Sequence, residues 1–284
     1  MNRVLMASIL TLSLLAPMSA AGKSTELTLS QIEANRRGIV KAVVVPTEQQ
    51  AEDFWQTYWE YRGQVSLLNN RTVQVIDEFM AAENGLTADR AAALVYEVLD
   101  IESSRTDLKA EFVKRLKDVL RPTQVARWYQ TERKMDSVIR ADLAATIPFD
   151  ATGFKLEAEL TRTEIEDRRE EFVKALVQPD PEQEKRFWYR YREYRQNLDK
   201  LGERTVDLIE EYAESYGSIT EDQALRMAKE AANIDADRMA RLQDIVRWQH
   251  AILTPNQMVR FLQGELKMNA VVDLELAALI PIDQ

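Results

Sequence analysis

The sequence predicts an all-α protein built as two tandem helical copies, and three observations lead there. Eight glycines and eight prolines in 284 residues are about half the average usage, too little turn chemistry for a many-stranded β protein. Phe54, Tyr58, Tyr61, Val65, Leu68, Thr72, Val75 and Phe79 step by fours and threes, the spacing of a helical seam rather than a strand. Finally, the chain repeats itself: Phe54-Trp55 returns as Phe187-Trp188. Holding that offset without a gap, Leu27–Asp150 set against Leu160–Asp283 gives 45 identities in 124 positions, where unrelated chains of ordinary composition give roughly one in fifteen. The period is domain-sized, too long for a solenoid unit.

Residues 1–21 precede the first copy. Arg3, an apolar run from Val4 to Ala16, and Pro17-Met18-Ser19-Ala20-Ala21 read as a secretory signal peptide cleaved after Ala21. The run falls short of the ~20 apolar residues of a bilayer span. An exported chain is therefore expected, periplasmic in a Gram-negative host. The first copy takes residues 22–150, a linker 151–159 and the second copy 160–284. Each copy reads as four helices with short connections. A short amphipathic helix (Leu29 to Val43, Thr163 to Leu176) comes first. The long helix carrying the aromatic seam follows, ending at Asn84-Gly85 or Tyr216-Gly217 with glycine in a left-handed cap. A second long helix (Ala88 to Val119, Asp222 to Ile252) buries Leu94, Val98, Ile101, Leu108, Phe112 and Leu116. The last begins at Pro122 or Pro255. A join this short predicts that the copies pack together as an intrachain pseudo-dimer.

Helix starts carry a recurring device. In Leu253-Thr254-Pro255-Asn256-Gln257, Thr254 is the expected N-cap, Pro255 the first helical residue and Gln257 the closing member of a capping box. The first copy keeps Leu120, Pro122 and Gln124 but has Arg121 where the cap threonine stands. Similar boxes open at Thr28, Thr47, Thr161 and Thr220.

Composition excludes much chemistry. The chain has no cysteine, a single histidine and a formal net charge of −10. That rules out disulfides, thiol nucleophiles and zinc fingers, argues against a His-based metal site or triad, and sets an acidic balance against general nucleic-acid binding, which wants a basic face. No cofactor or metal is expected. The many Asp and Glu residues read as solvated helix faces, with no pair placed for acid–base work. The expected protein is not an enzyme.

An exported helical chain with Leu-Thr-x-x-Gln segments resembles the Spy/CpxP (LTxxQ-motif) family of the bacterial envelope. Ile219 to Ala224 followed by Ala251 to Gln257 carries the likeness best, and it spans about 100 residues of each copy. The resemblance implies a periplasmic, ATP-independent chaperone that cradles unfolded or partly folded envelope proteins. Alternatives are a regulatory adaptor of a membrane sensor kinase and a structural helical protein without clients.

The candidate contact residues are aromatic and arginine side chains. Trp55, Trp59, Trp188 and Tyr189 fall off the helical seam, and Arg62, Arg192 and Arg195 stand beside them; together they suit transient contact with many partners. Arg105 and Arg238 share one position in the two copies, either lining the same cradle or salt-bridged beside the core.

Overall fold

Helix starts fix the framework. The structure, a computed structural model, describes residues 27–81, 85–146, 150–151, 154–155 and 161–282. Residues 1–21, read above as a signal peptide, lie outside them. Among the described residues eight helices run α1 (Leu29–Val44), α2 (Glu48–Ala81), α3 (Ala88–Leu116), α4 (Pro122–Thr146), α5 (Arg162–Val177), α6 (Pro181–Ser215), α7 (Glu221–His250) and α8 (Pro255–Ala278). Each of the last four begins at the same offset from its counterpart, the one that separates Phe54 from Phe187. Thr28, Thr161, Asp180, Thr220 and Thr254 are N-caps with complete capping boxes, each worth about 1 kcal/mol. Between α4 and α5 there is one antiparallel pairing, Asp150 with Lys155 and Ala151 with Phe154.

Helix ends differ from expectation at one place. Gly85 has the positive φ of 86° that a left-handed turn requires, but Gly217 does not adopt it. Instead α6 closes through a tight turn in which Ser218 N–H donates to Ser215 O at 2.8 Å. Among the described residues the other left-handed ones are Val45 (φ 51°) and Gln178 (φ 47°). They end α1 and α5 and turn the chain sharply into α2 and α6.

The packing exchanges partners between the two halves. α2 lies along α3 and α6 along α7, forming two long hairpins, while α1 rests on α4 and α5 on α8. α3 and α4 scarcely meet. α3 packs on α7 and α8, α4 packs on α7, and α4 lies against α8. Two hydrophobic cores result. One joins α1, the first part of α2, the end of α3 and the start of α4 to Leu208, Ile209 and Tyr212 of α6, Met227, Ala231 and Ile234 of α7, and Ile280 and Ile282 beyond α8. The other joins α5, α6 and α8 to Val75 of α2 and Ala91, Leu94, Val98 and Ile101 of α3. The aromatic seam behaves as its spacing predicts: Phe54, Tyr58, Tyr61, Phe187, Tyr191 and Tyr194 are buried.

α4 is enclosed on nearly all sides. An unbroken run from Trp128 to Met135 is buried, including Glu132, Arg133 and Lys134. Such a helix carries no clean apolar stripe, so its charged residues must find partners in the interior.

Candidate functional site

Two aromatic faces stand out on the hairpins. On α2, Trp59 is 46% exposed and stacks on Trp55, centroids 6.1 Å apart. Trp55 is half-buried against the core, and the Arg37 guanidinium lies 4.9 Å from its ring. On α6, Tyr189 is 68% exposed. Arg190 sits 5.4 Å from that ring and 4.7 Å from Trp248. Half-buried Trp188 packs on the second core, with the Arg192 guanidinium 5.8 Å away. The Arg192 side chain is 60% exposed and pairs with Glu170 at 2.8 Å, a surface pair worth ~0–1 kcal/mol that a partner displaces at little cost.

The other predicted arginines are held by neighbours, which for Arg105 and Arg238 is the reading that set them beside the core. Arg62 donates to Glu132 at 3.2 Å and lies 3.5 Å from Asp136. Arg195 pairs with Asp199 at 3.0 Å. Arg105 donates to Thr72 Oγ1 at 3.0 Å, and Arg238 to Asp273 at 2.9 Å. Arg62 and Arg105 are some 15% exposed or less along their side chains. All four follow from helical stripes that put a long cationic side chain beside the core, where a carboxylate or hydroxyl must meet its charge. The exposed aromatic faces are thus made of Trp55, Trp59, Trp188, Tyr189 and Arg192, with Arg37, Arg190 and Trp248 beside them.

Not all acidic residues are solvated. Glu132 and Glu265 are fully buried. Glu132 accepts hydrogen bonds from Tyr58 Oη at 2.9 Å, Arg62 at 3.2 Å and Arg36 at 3.2 Å. Glu265 accepts from Tyr191 Oη at 2.8 Å, Arg169 at 3.3 Å and Tyr194 Oη at 3.5 Å. These bonds tie α1 and α2 to α4, and α5 and α6 to α8. Burial and the Glu132 charge push the Tyr58 hydroxyl well above its ordinary range; burial and Glu265 do the same to Tyr191 and Tyr194. At Asp136 burial opposes ionisation, yet Lys109, Arg62, Arg36 and Arg105 together hold the carboxyl below its usual value. Burial also pulls the Lys134 ammonium down to about 8, while its Nζ donates to Ile280 O at 2.8 Å and steadies the end of the chain.

The motif glutamines are more than caps. Gln257 Oε1 accepts from Thr254 N–H at 2.9 Å, closing the box. Its Nε2 donates to Gln178 O at 3.1 Å and Gln183 Oε1 at 3.0 Å. Gln124 accepts from Arg121 N–H at 2.9 Å and donates to Val45 O at 2.9 Å and Gln50 Oε1 at 3.1 Å. Each glutamine thus holds the carbonyl of a left-handed residue and fixes the α1–α2 or α5–α6 corner to the start of α4 or α8. Leu120 and Leu253 are buried just before those starts, and Pro122 and Pro255 occupy the first turn.

Among the described residues no cluster of three or more His, Cys, Asp or Glu is arranged to hold a metal ion, and no helix is long and apolar enough to cross a membrane. No family model, curated protein or solved structure matches the chain.

Proposed function

We propose that this chain is a periplasmic, non-enzymatic binding protein in which two Spy/CpxP-like copies fold together as a pseudo-dimer. It holds unfolded or partly folded envelope proteins without ATP. The residues assigned to this contact are Trp55, Trp59, Trp188, Tyr189 and Arg192. What carries the reading is the pairing of exposed aromatic rings with loosely held arginines at two places on a rigid helical frame. Trp59 and Tyr189 are large rings at 46% and 68% exposure, and such surface accepts apolar segments of many sequences. The pseudo-dimer is supported by helix starts that recur at one constant offset and by two cores that each draw on both copies. Export rests on the segment 1–21.

The test is suppression of aggregation of a chemically unfolded model protein by the full-length mature chain. Suppression near equimolar ratio is expected, and the double variant Trp59→Ser/Tyr189→Ser weakens it by ~5-fold or more, since aromatic anchors dominate such contacts. Both residues are exposed, so thermal unfolding of the double variant stays close to that of the parent. No suppression by the parent chain at stoichiometric excess sinks the chaperone reading. The companion measurement is sedimentation, where the pseudo-dimer is expected as a single chain of 32.7 kDa before signal removal.

A further inference from the structure

A cavity of about 70 Å³ lies between α2, α3, α4 and α8. Val75, Ile76 and Phe79 of α2, Val98 and Ile101 of α3, and Leu266 of α8 supply its apolar wall, and Arg105, Glu102 and Arg140 its charged end. The two guanidiniums share one carboxylate. Arg140 donates to Glu102 at 2.7 Å, and Arg105 Nε lies 3.7 Å from the same side chain. The neighbouring acids make their close ion pairs elsewhere, Asp136 with Arg62 and Lys109 and Asp273 with Arg238, and reach Arg140 only as longer-range charges that favour its ionised form. Arg105 Nε is buried and has no hydrogen-bond acceptor, which leaves a buried N–H aimed at an unmet need.

The second copy shows what removes that need. At the equivalent positions of the repeat, Arg140 becomes Asp273, Glu102 becomes Asp235 and Arg105 becomes Arg238. There Asp273 accepts from Arg238 at 2.9 Å and Asp235 accepts from Tyr129 Oη at 2.5 Å. The charge set changes from two cations and one anion to one cation and two anions. The apolar walls differ too: Phe79 and Leu143 are half-buried at the first position, while their counterparts Tyr212 and Leu276 are 1% and 3% exposed. The second position has its walls buried and its guanidinium paired with Asp273, whereas the first keeps a cavity beside the open Arg105 Nε.

We propose that the α2/α3/α4/α8 cavity binds a short branched aliphatic carboxylate, its apolar end among Val75, Ile101 and Leu266 and its carboxylate on Arg105 and Arg140. Size sets the class. A dry cavity of about 150 Å³ accepts benzene, so half that volume suits a branched end of about four carbons. The carboxylate matches guanidinium geometry and supplies the acceptor that Arg105 Nε lacks. The same chemistry is offered by a free acid such as 3-methylbutanoate and by a polypeptide ending in leucine. The aromatic faces play no part in this site.

The experiment is titration of the full-length mature chain, with isoleucine and valine methyls labelled for NMR. The probes are 3-methylbutanoate, 3-methylbutanamide, and a pentapeptide ending in leucine as free acid or amide. Saturable shifts at Val75, Ile76, Val98 and Ile101 with an acid probe, at least ~10-fold weaker with its amide, are the expected result. Tighter binding of the peptide acid identifies a chain terminus as the source; binding of 3-methylbutanoate alone identifies a small molecule. Arg140→Asp, which installs the charge of the second copy, weakens binding by ~10-fold or more, and Ala144→Val does so by filling the cavity with charge unchanged. The absence of saturable shifts with either acid at ~100 mM, equal affinity for acid and amide, or undiminished binding in both variants overturns the proposal.

Discussion

The two halves of the molecule solve one packing problem with different residues. Both bury a glutamate at the centre of the last helix under a tyrosine from the second. In the first half Glu132 meets two arginines, Arg36 and Arg62. In the second, Glu265 meets Arg169 and a second tyrosine, Tyr194, while Arg195 turns instead to Asp199. A second contrast is steric. Gly264 of α8 stands where α4 has Thr131, and Leu176 of α5 stands where α1 has Val43. A Cβ on Gly264 would come within 2.5 Å of Leu176 Cδ1. The small residue on one helix accommodates the larger one on its neighbour, so the distribution of volume across the contact changes. What repeats is the geometry of the frame, and what varies is the chemistry that fills it.

Separation of the halves is the harshest way to break this comparison. Residues 22–150 and 160–284 expressed alone each lack a large share of both cores, so neither is expected to yield a folded monomer. Circular dichroism with sedimentation checks this, and a half that folds cooperatively as a monomer would contradict the interlocked packing. Next come the buried glutamates. Glu132→Ala takes a carboxylate from two cations, of which Arg62 keeps Asp136, and is expected to cost ~4 kcal/mol, whereas Glu265→Ala takes it from one and costs ~3 kcal/mol. Urea denaturation should resolve the order, and equal losses would mean that Arg62 contributes little to the first network.

The tyrosines give the comparison a pH axis. Burial first, then neighbouring carboxylates, raises Tyr58, Tyr61, Tyr191 and Tyr194 above the usual phenol value. A raised pKa favours the protonated form in the folded state, so this contribution is intact below about pH 10 and is lost as pH climbs through the folded values. Tyrosinate absorbance of these side chains should rise only together with loss of helix, in both halves alike. Ionisation of all nine tyrosines near pH 10 with the helices intact is the contrary outcome.

Smaller effects sharpen the steric and capping contrasts. Gly264→Thr copies the first half's residue into a site shaped for glycine and is expected to cost ~2 kcal/mol by overpacking. Adding Leu176→Val should recover at least half of that, and thermal denaturation of the four proteins of this cycle measures the coupling. At the starts of the last helices, Thr254→Ala removes an N-cap and Arg121→Thr supplies one. Changes of about 1 kcal/mol in opposite directions are expected from the same measurement.

The framework was legible because helix starts are local. A threonine three residues before glutamine or glutamate satisfies backbone donors with atoms from its own segment, so Thr28, Thr161, Thr220 and Thr254 could be placed from spacing alone. The seam on α2 and α6 was legible for a related reason, since one face meets one core. Gly217 misled because a glycine permits a left-handed turn without requiring it. α4 was the least legible helix. Its buried charges depend on Arg36, Tyr58 and Arg62, which lie 70 to 96 residues away in sequence, and no period records such partners. A signal was nonetheless present, because Arg36, Tyr58 and Glu132 all recur unchanged as Arg169, Tyr191 and Glu265. Stripes could not say which cation meets a carboxylate on another helix, as Arg62 meets Glu132 and Arg238 meets Asp273. The cavity was invisible for the same reason, being bounded by residues from four helices of both halves.

The shared cores also set an order of events during synthesis. A ribosome releases the first four helices long before Leu276, Ile280 and Ile282 exist, yet those three side chains belong to the core that surrounds Phe54 and Trp128. Phe54 and Trp128 must wait for residues made much later, so a stop codon a few positions before Ile280 would damage the core around them and leave the core around Phe187 comparatively whole.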